Sequence, residues 1–530
     1  MMQKWLKNAN FYQIYPTSFF DTNGDGVGDL QGIIQKLDYV KSLGCNAVWI
    51  NPFFTSPFFD GGYDIKDYYD VDPRFGTMAD FDELVASCKE KGIRLVVDMV
   101  IGHSSHEHPW FLKSGEFEKN EYSDYYIWTD NNFNKYKDKT IHGLHPRDGG
   151  YYINYYACQP AFNYGFNRKE TAEGGDAYSG GTAWQLAYDD SRLAPVREEI
   201  LNVMRFWLKR GVDGFRVDLA NSLVKGCVFD SDKDEDIEGL IWLWNKMIST
   251  IKAEYPDCAF ISEWVYPKNA VGKCGFDVDF YAHDILCYND LFRCEKGSNL
   301  LPFFEKGHSY FNAEGKGTVD DFVAYTEDTL RAIEGKGYVS IPTGSHDQVR
   351  IGLNKSDDVM KTVFAFEFTF KHVPFTYYGD EVGMKHTFGI NKDGGYIRTG
   401  ARTPMQWSEG ENRGFSTAKD VYLPAQPADG QSVAKMEDDE NSLLSMVRQL
   451  GALRLAHPAL WADAELQILQ TGYPFVYQRT GGGETIVVAL NPSDEAVTVD
   501  CDGEILLANN CEVNGKAVTL TGESFVIYKR

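Results

Sequence analysis

Three carboxylates stand at the ends of short apolar runs that are rich in β-branched and aromatic residues. Asp218 and Glu263 come directly or almost directly after such runs, and Asp347 lies a few residues beyond a third. A carboxylate pair can cleave a glycosidic bond, because the ionised member attacks or stabilises an oxocarbenium-like centre while the protonated member donates to the leaving oxygen. Each residue alone fits an ordinary strand-end charge, but the set together favours a catalytic site.

The neighbours of two of these carboxylates suggest different protonation states. Arg216 precedes Asp218 by two residues and shares its face of a strand, so we expect it to keep Asp218 ionised at neutral pH. Trp264 follows Glu263 and supplies an apolar wall that would raise the pKa of that carboxyl. Because the two environments move the pKa values of the Asp218 and Glu263 carboxyls apart, we predict that one acts as nucleophile or base and the other as acid.

The apolar runs alternate with longer segments of helical periodicity, a pattern typical of βα units around a parallel sheet. One such helix is predicted over Leu30–Leu43. Eight units predict an α/β fold, a (β/α)8 TIM barrel, in which polar residues at the C-terminal strand ends meet at one mouth. The eight runs are Phe11–Tyr15, Ala47–Ile50, Arg94–Val100, Gly214–Val217, Ala259–Ile261, Phe276–Phe280, Tyr338–Ile341 and Val373–Tyr378.

Two regions lie outside the repeating pattern. The interval between the third and the fourth run is far longer than the ~2–6 residues of a usual βα loop, so we predict an inserted irregular domain over 103–180. The barrel then occupies 1–102 and 181–455. Beyond a helix that ends near 455, seven short alternating segments, the last two at Ala517–Leu520 and Phe525–Tyr528, predict a C-terminal antiparallel β-sandwich domain over 456–530.

The loop Asp21–Asp29 has the pattern of a hard-cation site. Oxygen side chains alternate along it, a glycine occupies the sixth position, and a carbonyl is available at the seventh. An EF-hand is excluded, because the twelfth position is Gly32 and a strand precedes the loop. A solvated Asp/Gly turn remains the alternative.

Composition narrows the classes of partner. The chain of 530 residues carries 52 basic and 77 acidic side chains, a formal net charge of −25, which disfavours nucleic acid and anionic membranes. We expect a neutral small molecule as partner and a monomer or weak homo-oligomer. No apolar segment approaches ~20 residues, no leader is evident, and the ten cysteines are scattered, so we expect a cytoplasmic protein with reduced thiols.

Four short strings resemble the four conserved regions of the alpha-amylase superfamily, glycoside hydrolase family 13, and they follow in the family's order. They are Asp98–His103, Gly214–Asp218, Glu263-Trp264 and His346-Asp347. The resemblance implies that Asp218 is the nucleophile of a retaining mechanism, Glu263 the general acid/base and Asp347 the carboxylate that stabilises the transition state.

The same resemblance implies roles for neighbouring residues. His103 and His346 would hydrogen-bond the sugar under attack, and Tyr63 and Asp64 would close the same subsite. Arg216 would orient the nucleophile.

Two further strings are similar to the oligo-1,6-glucosidase and alpha-glucosidase group. They are Gln159–Asn163 and Arg402–Trp407, where the arginine would close the non-reducing end of the pocket. An exo-acting retaining alpha-glucoside hydrolase for short oligosaccharides follows from this likeness. The group also carries a structural Ca2+ in a similar loop, for which the ligands here would be Asp21, Asn23, Asp25, Val27 (through its carbonyl) and Asp29.

Two positions depart from the family pattern. Gly102 stands where calcium-dependent amylases have a metal-binding asparagine, so a second calcium is not expected. Leu219, just after the proposed nucleophile, matches neither the 1,4- nor the 1,6-specific enzymes, so linkage preference stays open. The alternatives are a glucosyl-transferring or isomerising enzyme and an endo-acting amylase or neopullulanase. A non-catalytic transporter subunit is disfavoured because the carboxylates are intact.

Overall fold

The computed structural model describes residues 3–134, 137–169, 181–282, 285–427 and 431–530. Eight strands form one parallel sheet in the order β7-β6-β5-β4-β3-β2-β1-β8. The eight are β1 (Phe11–Ile14), β2 (Ala47–Ile50), β3 (Arg94–Met99), β4 (Gly214–Val217), β5 (Ala259–Ser262), β6 (Val278–Phe280), β7 (Tyr338–Ser340) and β8 (Phe375–Tyr377).

The first and last strands of this order also approach each other. Val373 N–H donates to Val339 O at 3.0 Å and Thr343 N–H to Phe375 O at 3.4 Å, at the ends of β7 and β8. The predicted (β/α)8 barrel is therefore confirmed. All eight predicted runs became strands, and the largest shifts are the later starts of β6 and β8.

Helices connect the strands, and the first helix shows why the spacing of apolar residues predicted it. The helix Leu30–Ser42 buries Ile33, Leu37 and Val40 on one face. Its N-terminus is capped by Asp29, whose carboxylate accepts the Gly32 N–H at 2.6 Å. The other long helices are Met78–Lys91, Ala194–Arg210, Asp234–Glu254, Asp320–Ala332, Asp357–Thr369 and Leu443–Ala456; shorter ones are Pro109–Ser114, Pro267–Ala270, Leu286–Phe292 and Val433–Met436.

The chain separates into two compact units. The first comprises Met1–Asn51, Ala86–Leu95 and Phe280–Arg530. It ends in an antiparallel sheet of order β9-β10-β11-β14-β12, with β13 also paired to β14. These strands are β9 (Glu465–Gln470), β10 (Phe475–Gly481), β11 (Glu484–Asn491), β12 (Val497–Asp500), β13 (Glu504–Asn514) and β14 (Ala517–Lys529). The prediction of seven segments was wrong in one respect, because the last two form the single strand β14.

The second unit comprises Pro52–Val85 and Val96–Asp279. Within it, short strands Thr140–His142 and Gly150–Tyr152 pair antiparallel, and Ile127, Ala161 and Phe166 belong to a small core of their own. Residues 135–136 and 170–180 of the predicted insertion lie outside the described residues, and the predicted domain bounds stay a prediction. No helix among the described residues is long and apolar enough to span a membrane.

Candidate active site

The second unit gathers three carboxylates around one guanidinium. Strands β3 and β4 pair in parallel with Asp98 opposite Arg216. Arg216 Nη1 donates to Oδ1 of Asp98 at 2.9 Å and to Oδ1 of Asp218 at 2.8 Å, and its Nη2 lies 2.9 Å from Oε1 of Glu263. Two of the three carboxylates predicted to be catalytic are thus held by one planar cation, together with Asp98.

The pKa of Asp218 is governed more by burial and by Glu263 than by Arg216. Arg216 does contact it, but burial and the nearby charge of Glu263 outweigh the guanidinium and raise the pKa of Asp218 well above its usual range. For Arg216, burial disfavours the charge, yet Asp98 and Glu263 raise the pKa overall. The contact with Arg216 was predictable from the spacing, whereas the burial around Asp218 was not, and its ionised state at neutral pH stays a prediction.

Both carboxylate oxygens of Glu263 have a partner, one a hydrogen-bond donor and the other an ion-pair partner. Oε2 accepts the backbone N–H of Leu219 at 3.0 Å, while Oε1 faces Arg216. Leu219 has a φ of +43°, a left-handed conformation that is uncommon for a side chain of this size. This turn after Asp218 directs a main-chain donor at Glu263. Trp264 is fully buried, and its indole N–H donates to Phe229 O at 3.0 Å.

Tyr63 and Asp64 lie in the same unit. The Tyr63 hydroxyl donates to Oδ2 of Asp98 at 2.9 Å. The carboxylate of Asp64 accepts the backbone N–H groups of Phe59 and Asp60, each at 3.0 Å, so it closes its own turn. Burial raises the pKa of Asp64 to about 6. Tyr63 therefore joins the carboxylate cluster, whereas the oxygens of Asp64 bind loop donors.

His103 is fixed in one tautomer by a chain of contacts. Lys225 Nζ, which can only donate, binds Oδ1 of Asn154 at 2.7 Å. The Asn154 amide therefore turns its N–H to His103 Nδ1, 3.3 Å away, and His103 Nε2–H donates to Tyr63 O at 3.0 Å. Burial lowers the pKa of His103 to about 4. A Cβ on Gly102 would lie 2.7 Å from the Asn154 amide, which explains the glycine.

The first unit holds the third predicted carboxylate. Oδ1 of Asp347 accepts hydrogen bonds from Arg398 Nη1 and Arg402 Nη2, both at 2.9 Å, and Oδ2 lies 3.0 Å from His346 Nε2. Burial alone would raise the pKa of Asp347, but His346 and the two arginines hold it well below its usual range. These contacts favour the ionised form of Asp347.

His346 is held from behind by two amides. Its Nδ1 lies 3.0 Å from Gln13 Nε2 and 3.2 Å from Asn51 Nδ2. Since both amides donate, Nε2 carries the proton and faces Asp347. Arg402 Nε also donates to His346 O at 2.9 Å, so it orients both residues of the pair.

Sequence reasoning did not identify Asp98 or Arg398 as site residues. The signal for Asp98 was its position at the end of the third run, in register with Arg216 on the next strand. Arg398 lies in the short helix Tyr396–Ala401, which ends directly before Arg402, and only the path of that segment brings it to Asp347. Gln159, in the string similar to the glucosidase group, donates to Asp60 at 2.8 Å.

The predicted cation loop is organised by its own oxygen side chains. Asp21 is buried, and its Oδ2 accepts Gly26 N–H at 2.8 Å and Ser416 O–H at 2.5 Å. Across the described residues, no three His, Cys, Asp or Glu side chains form a metal-ligand group. The predicted set adds an amide and a carbonyl oxygen, so its all-oxygen chemistry suits Ca2+. Asn23, Asp25 and Asp29 accept N–H groups of Asp25, Val27 and Gly32 at 2.8, 2.9 and 2.6 Å.

A barrel with carboxylates at the C-terminal ends of its strands has the architecture of a TIM-barrel enzyme, and a carboxylate pair held close together fits the chemistry of glycosidic bonds. The model of the alpha-amylase catalytic domain matches residues 13–463, and the chain belongs to the alpha-amylase family. It is a glycoside hydrolase, as the predicted resemblance implied. Its oligo-1,6-glucosidase relative from Parageobacillus thermoglucosidasius is 31% identical over 551 residues, covering 93% of this chain and 92% of the relative.

A probable alpha-glucosidase of Rhizobium meliloti is also 31% identical, over 93% of this chain and 90% of its own. Among solved structures, a mutant of the trehalulose synthase MutB in complex with Tris superposes with a TM-score of 0.80 at 28% identity, covering 99% of each chain. A mutant isomaltulose synthase from Erwinia rhapontici, in complex with its natural substrate sucrose, gives 0.80 at 26%, covering 100% of this chain and 99% of that one. The chain thus resembles both glucosidases and enzymes named as trehalulose or isomaltulose synthases.

Proposed function

We propose that the protein is a retaining, exo-acting alpha-glucosidase of the oligo-1,6-glucosidase type that hydrolyses short alpha-glucosides. The observation that carries this proposal is the shared guanidinium of Arg216, which holds Asp218 and Glu263 side by side. Retaining glycosidases need two carboxyl groups only ~5–5.5 Å apart. The relatives named as oligo-1,6-glucosidases support the substrate class.

In the first chemical step, a carboxylate oxygen of Asp218 attacks the anomeric carbon while the bond to the leaving oxygen breaks. Glu263 gives its proton to that oxygen. In the second step a water oxygen attacks the same carbon, its proton passes to Glu263, and the ester bond to Asp218 breaks. We propose that Asp347, kept ionised by His346, Arg398 and Arg402, binds sugar hydroxyls in the transition state.

The other substrate-contact assignments follow the same proposal. In the second unit, Tyr63, Asp64 and His103 would help to bind the glucose that Asp218 attacks, and in the first unit Arg402 would act through Asp347. For Tyr63 and Arg402 the support is their hydrogen bonds to Asp98 and Asp347, while Asp64 and His103 would act by holding the adjacent turns. Linkage preference would depend on how the protein binds the sugar on the other side of the cleaved bond.

A second candidate function is glucosyl transfer or isomerisation. The solved structures named as trehalulose and isomaltulose synthases favour it. Such an enzyme passes the glucosyl group from Asp218 to a sugar hydroxyl instead of water, so both candidates share the first step.

We also propose a structural Ca2+ held by Asp21, Asn23, Asp25, Asp29 and the Val27 carbonyl. The all-oxygen donor set supports it. A cytoplasmic location is supported by ten cysteines without disulfides, and an uncharged oligosaccharide suits a chain of net charge −25.

Chromatography of products from maltose, isomaltose, sucrose and trehalose tests the proposal. Glucose as the main product from an alpha-disaccharide is expected. Conversion of sucrose to an isomeric disaccharide would favour the second candidate, and no reaction with any of the four sugars would contradict both.

A further inference from the structure

Asp279 is a buried carboxylate that the proposed chemistry does not use. It lies in β6 opposite Ser262 of β5, their Cα atoms being register partners, and its side chain is completely buried. A carboxylate removed from water needs donors around it, so its partners indicate what it stabilises.

Within the described part of the chain, the donors to Asp279 come from one five-residue stretch, 262–266. Oδ1 accepts from Ser262 Oγ at 2.7 Å, from Trp264 N–H at 3.0 Å and from Val265 N–H at 3.3 Å. Oδ2 accepts from Tyr266 N–H at 2.9 Å. These four donors flank Glu263 in the sequence. One rigid side chain therefore fixes the backbone immediately before and after the proposed acid/base.

The backbone of this stretch requires such an anchor. Val265 has a φ of +65°, in the left-handed region, which is a genuine outlier for a β-branched residue. Conformations of this kind persist only where surrounding contacts over-determine them, and they concentrate at functional sites. Asp279 supplies three of those contacts through the N–H groups of Trp264, Val265 and Tyr266.

We propose that Asp279 is a positioning residue for Glu263: it clamps Ser262 and Trp264–Tyr266 so that the Glu263 carboxyl is aimed at the leaving oxygen. The proposal rests on the proposed function, since it assigns Asp279 to the acid/base step of that reaction. Asp279 would act through the backbone, without contact to the sugar.

The position of an acid matters most for substrates whose leaving group needs a proton. A sugar alkoxide is a poor leaving group, whereas 4-nitrophenolate departs without protonation. Misplacement of a catalytic group by ~1 Å can cost about 10²-fold. The value of kcat/KM reports the step that forms the glucosyl-enzyme, in which only the disaccharide needs a proton. Weaker positioning of Glu263 should therefore lower kcat/KM for a disaccharide and largely spare kcat/KM for 4-nitrophenyl alpha-glucoside.

The experiment compares Asp279→Asn with the wild type on both substrates, using whichever disaccharide the wild type cleaves. Asn keeps the shape but replaces one acceptor oxygen with an amide N–H that faces the donors. We expect kcat/KM to fall about 10- to 100-fold on the disaccharide and less than about threefold on the nitrophenyl substrate. Since Glu263 also accepts the proton of water in the second step, kcat on the nitrophenyl substrate should fall. Azide, a nucleophile that needs no base, should restore that kcat.

Glu367→Gln provides the matched control. Glu367 is also fully buried and accepts a backbone N–H, that of Phe375 at 2.9 Å, but it has no contact with the Glu263 turn among the described interactions. Its variant should keep the wild-type ratio between the two substrates. If Asp279→Asn fails to fold, Ser262→Ala removes one donor and should shift the ratio in the same direction by a smaller factor.

Equal losses on both substrates, or no loss on either, would overturn the clamp while leaving the proposed hydrolase intact. A wild type that cleaves neither substrate would overturn both proposals. A selective loss on the disaccharide with azide rescue supports the clamp.

Discussion

Arg398 offers the most informative perturbation of the Asp347 cluster, because it can be changed with little disturbance of the core. Its side chain is 17% exposed, against 2% for Arg402, although both donate to Oδ1 of Asp347 at the same distance of 2.9 Å. Replacing Arg398 with Gln removes one charge-assisted hydrogen bond and keeps the second arginine in place.

A hydrogen bond to a charged group contributes about 1.5–3 kcal/mol, and ~1.4 kcal/mol corresponds to a factor of ten. We therefore expect kcat/KM of Arg398→Gln to fall about 10- to 150-fold. The pKa of Asp347 should also rise, because one of the cations that hold it down is lost, so the acidic limb of the kcat/KM profile should move to higher pH.

The assay is steady-state hydrolysis of 4-nitrophenyl alpha-glucoside from pH 4 to 9, with the melting temperature measured in parallel. Arg331→Gln, which changes an exposed arginine 3.9 Å from Asp328, is the control and should match the wild type. If Arg398→Gln retains kcat/KM within about twofold at every pH, the assignment of Asp347 as a cation-held catalytic carboxylate would be refuted.

Three further outcomes are expected. Removal of Ca2+ with a chelator should lower the melting temperature, since a ligand at 100 times its Kd stabilises by about 2.7 kcal/mol; Asp21→Asn should abolish this response, and identical melting with and without Ca2+ would contradict the site. Burial lowers the pKa of His108 to about 3, so the unfolded chain takes up the proton first as pH falls below ~6.5 and stability declines; His108→Asn should lose less stability than the wild type between pH 6.5 and 5 in urea titrations. Lys225→Met should release the Asn154 amide and weaken its hydrogen bond to His103 Nδ1, while the Tyr63 carbonyl keeps the proton on Nε2; 15N NMR should therefore show a shifted Nδ1 resonance in an unchanged tautomer, and an unshifted resonance would argue against the relay.

The barrel was predictable because each strand is a short apolar run between turn residues, and such patterns depend only on local sequence. The carboxylates at the strand ends were predictable for the same reason. Asp218, Glu263 and Asp347 follow strands whose direction fixes where their side chains emerge.

The features that the sequence did not indicate depend on contacts between residues that are distant in the chain. Arg398 lies 51 positions after Asp347 in the chain, and no periodic pattern in the sequence predicts their contact. The left-handed backbone at Leu219 and Val265 contradicts the usual preference of branched side chains, so only the surrounding donors and acceptors explain it. The pKa of Asp218 likewise depends on burial and on Glu263, neither of which follows from the spacing to Arg216.

Trapping the glucosyl-enzyme tests the central claim most directly. The wild type would be incubated with 5-fluoro-alpha-glucosyl fluoride, whose ring fluorine slows hydrolysis of the ester, then denatured in acid, digested with pepsin and analysed by mass spectrometry. A retaining mechanism with Asp218 as nucleophile predicts a single fluoroglucosyl ester on the peptide that contains Asp218, and none in Asp218→Asn. An ester on another carboxylate, or steady turnover by Asp218→Asn, would contradict the account.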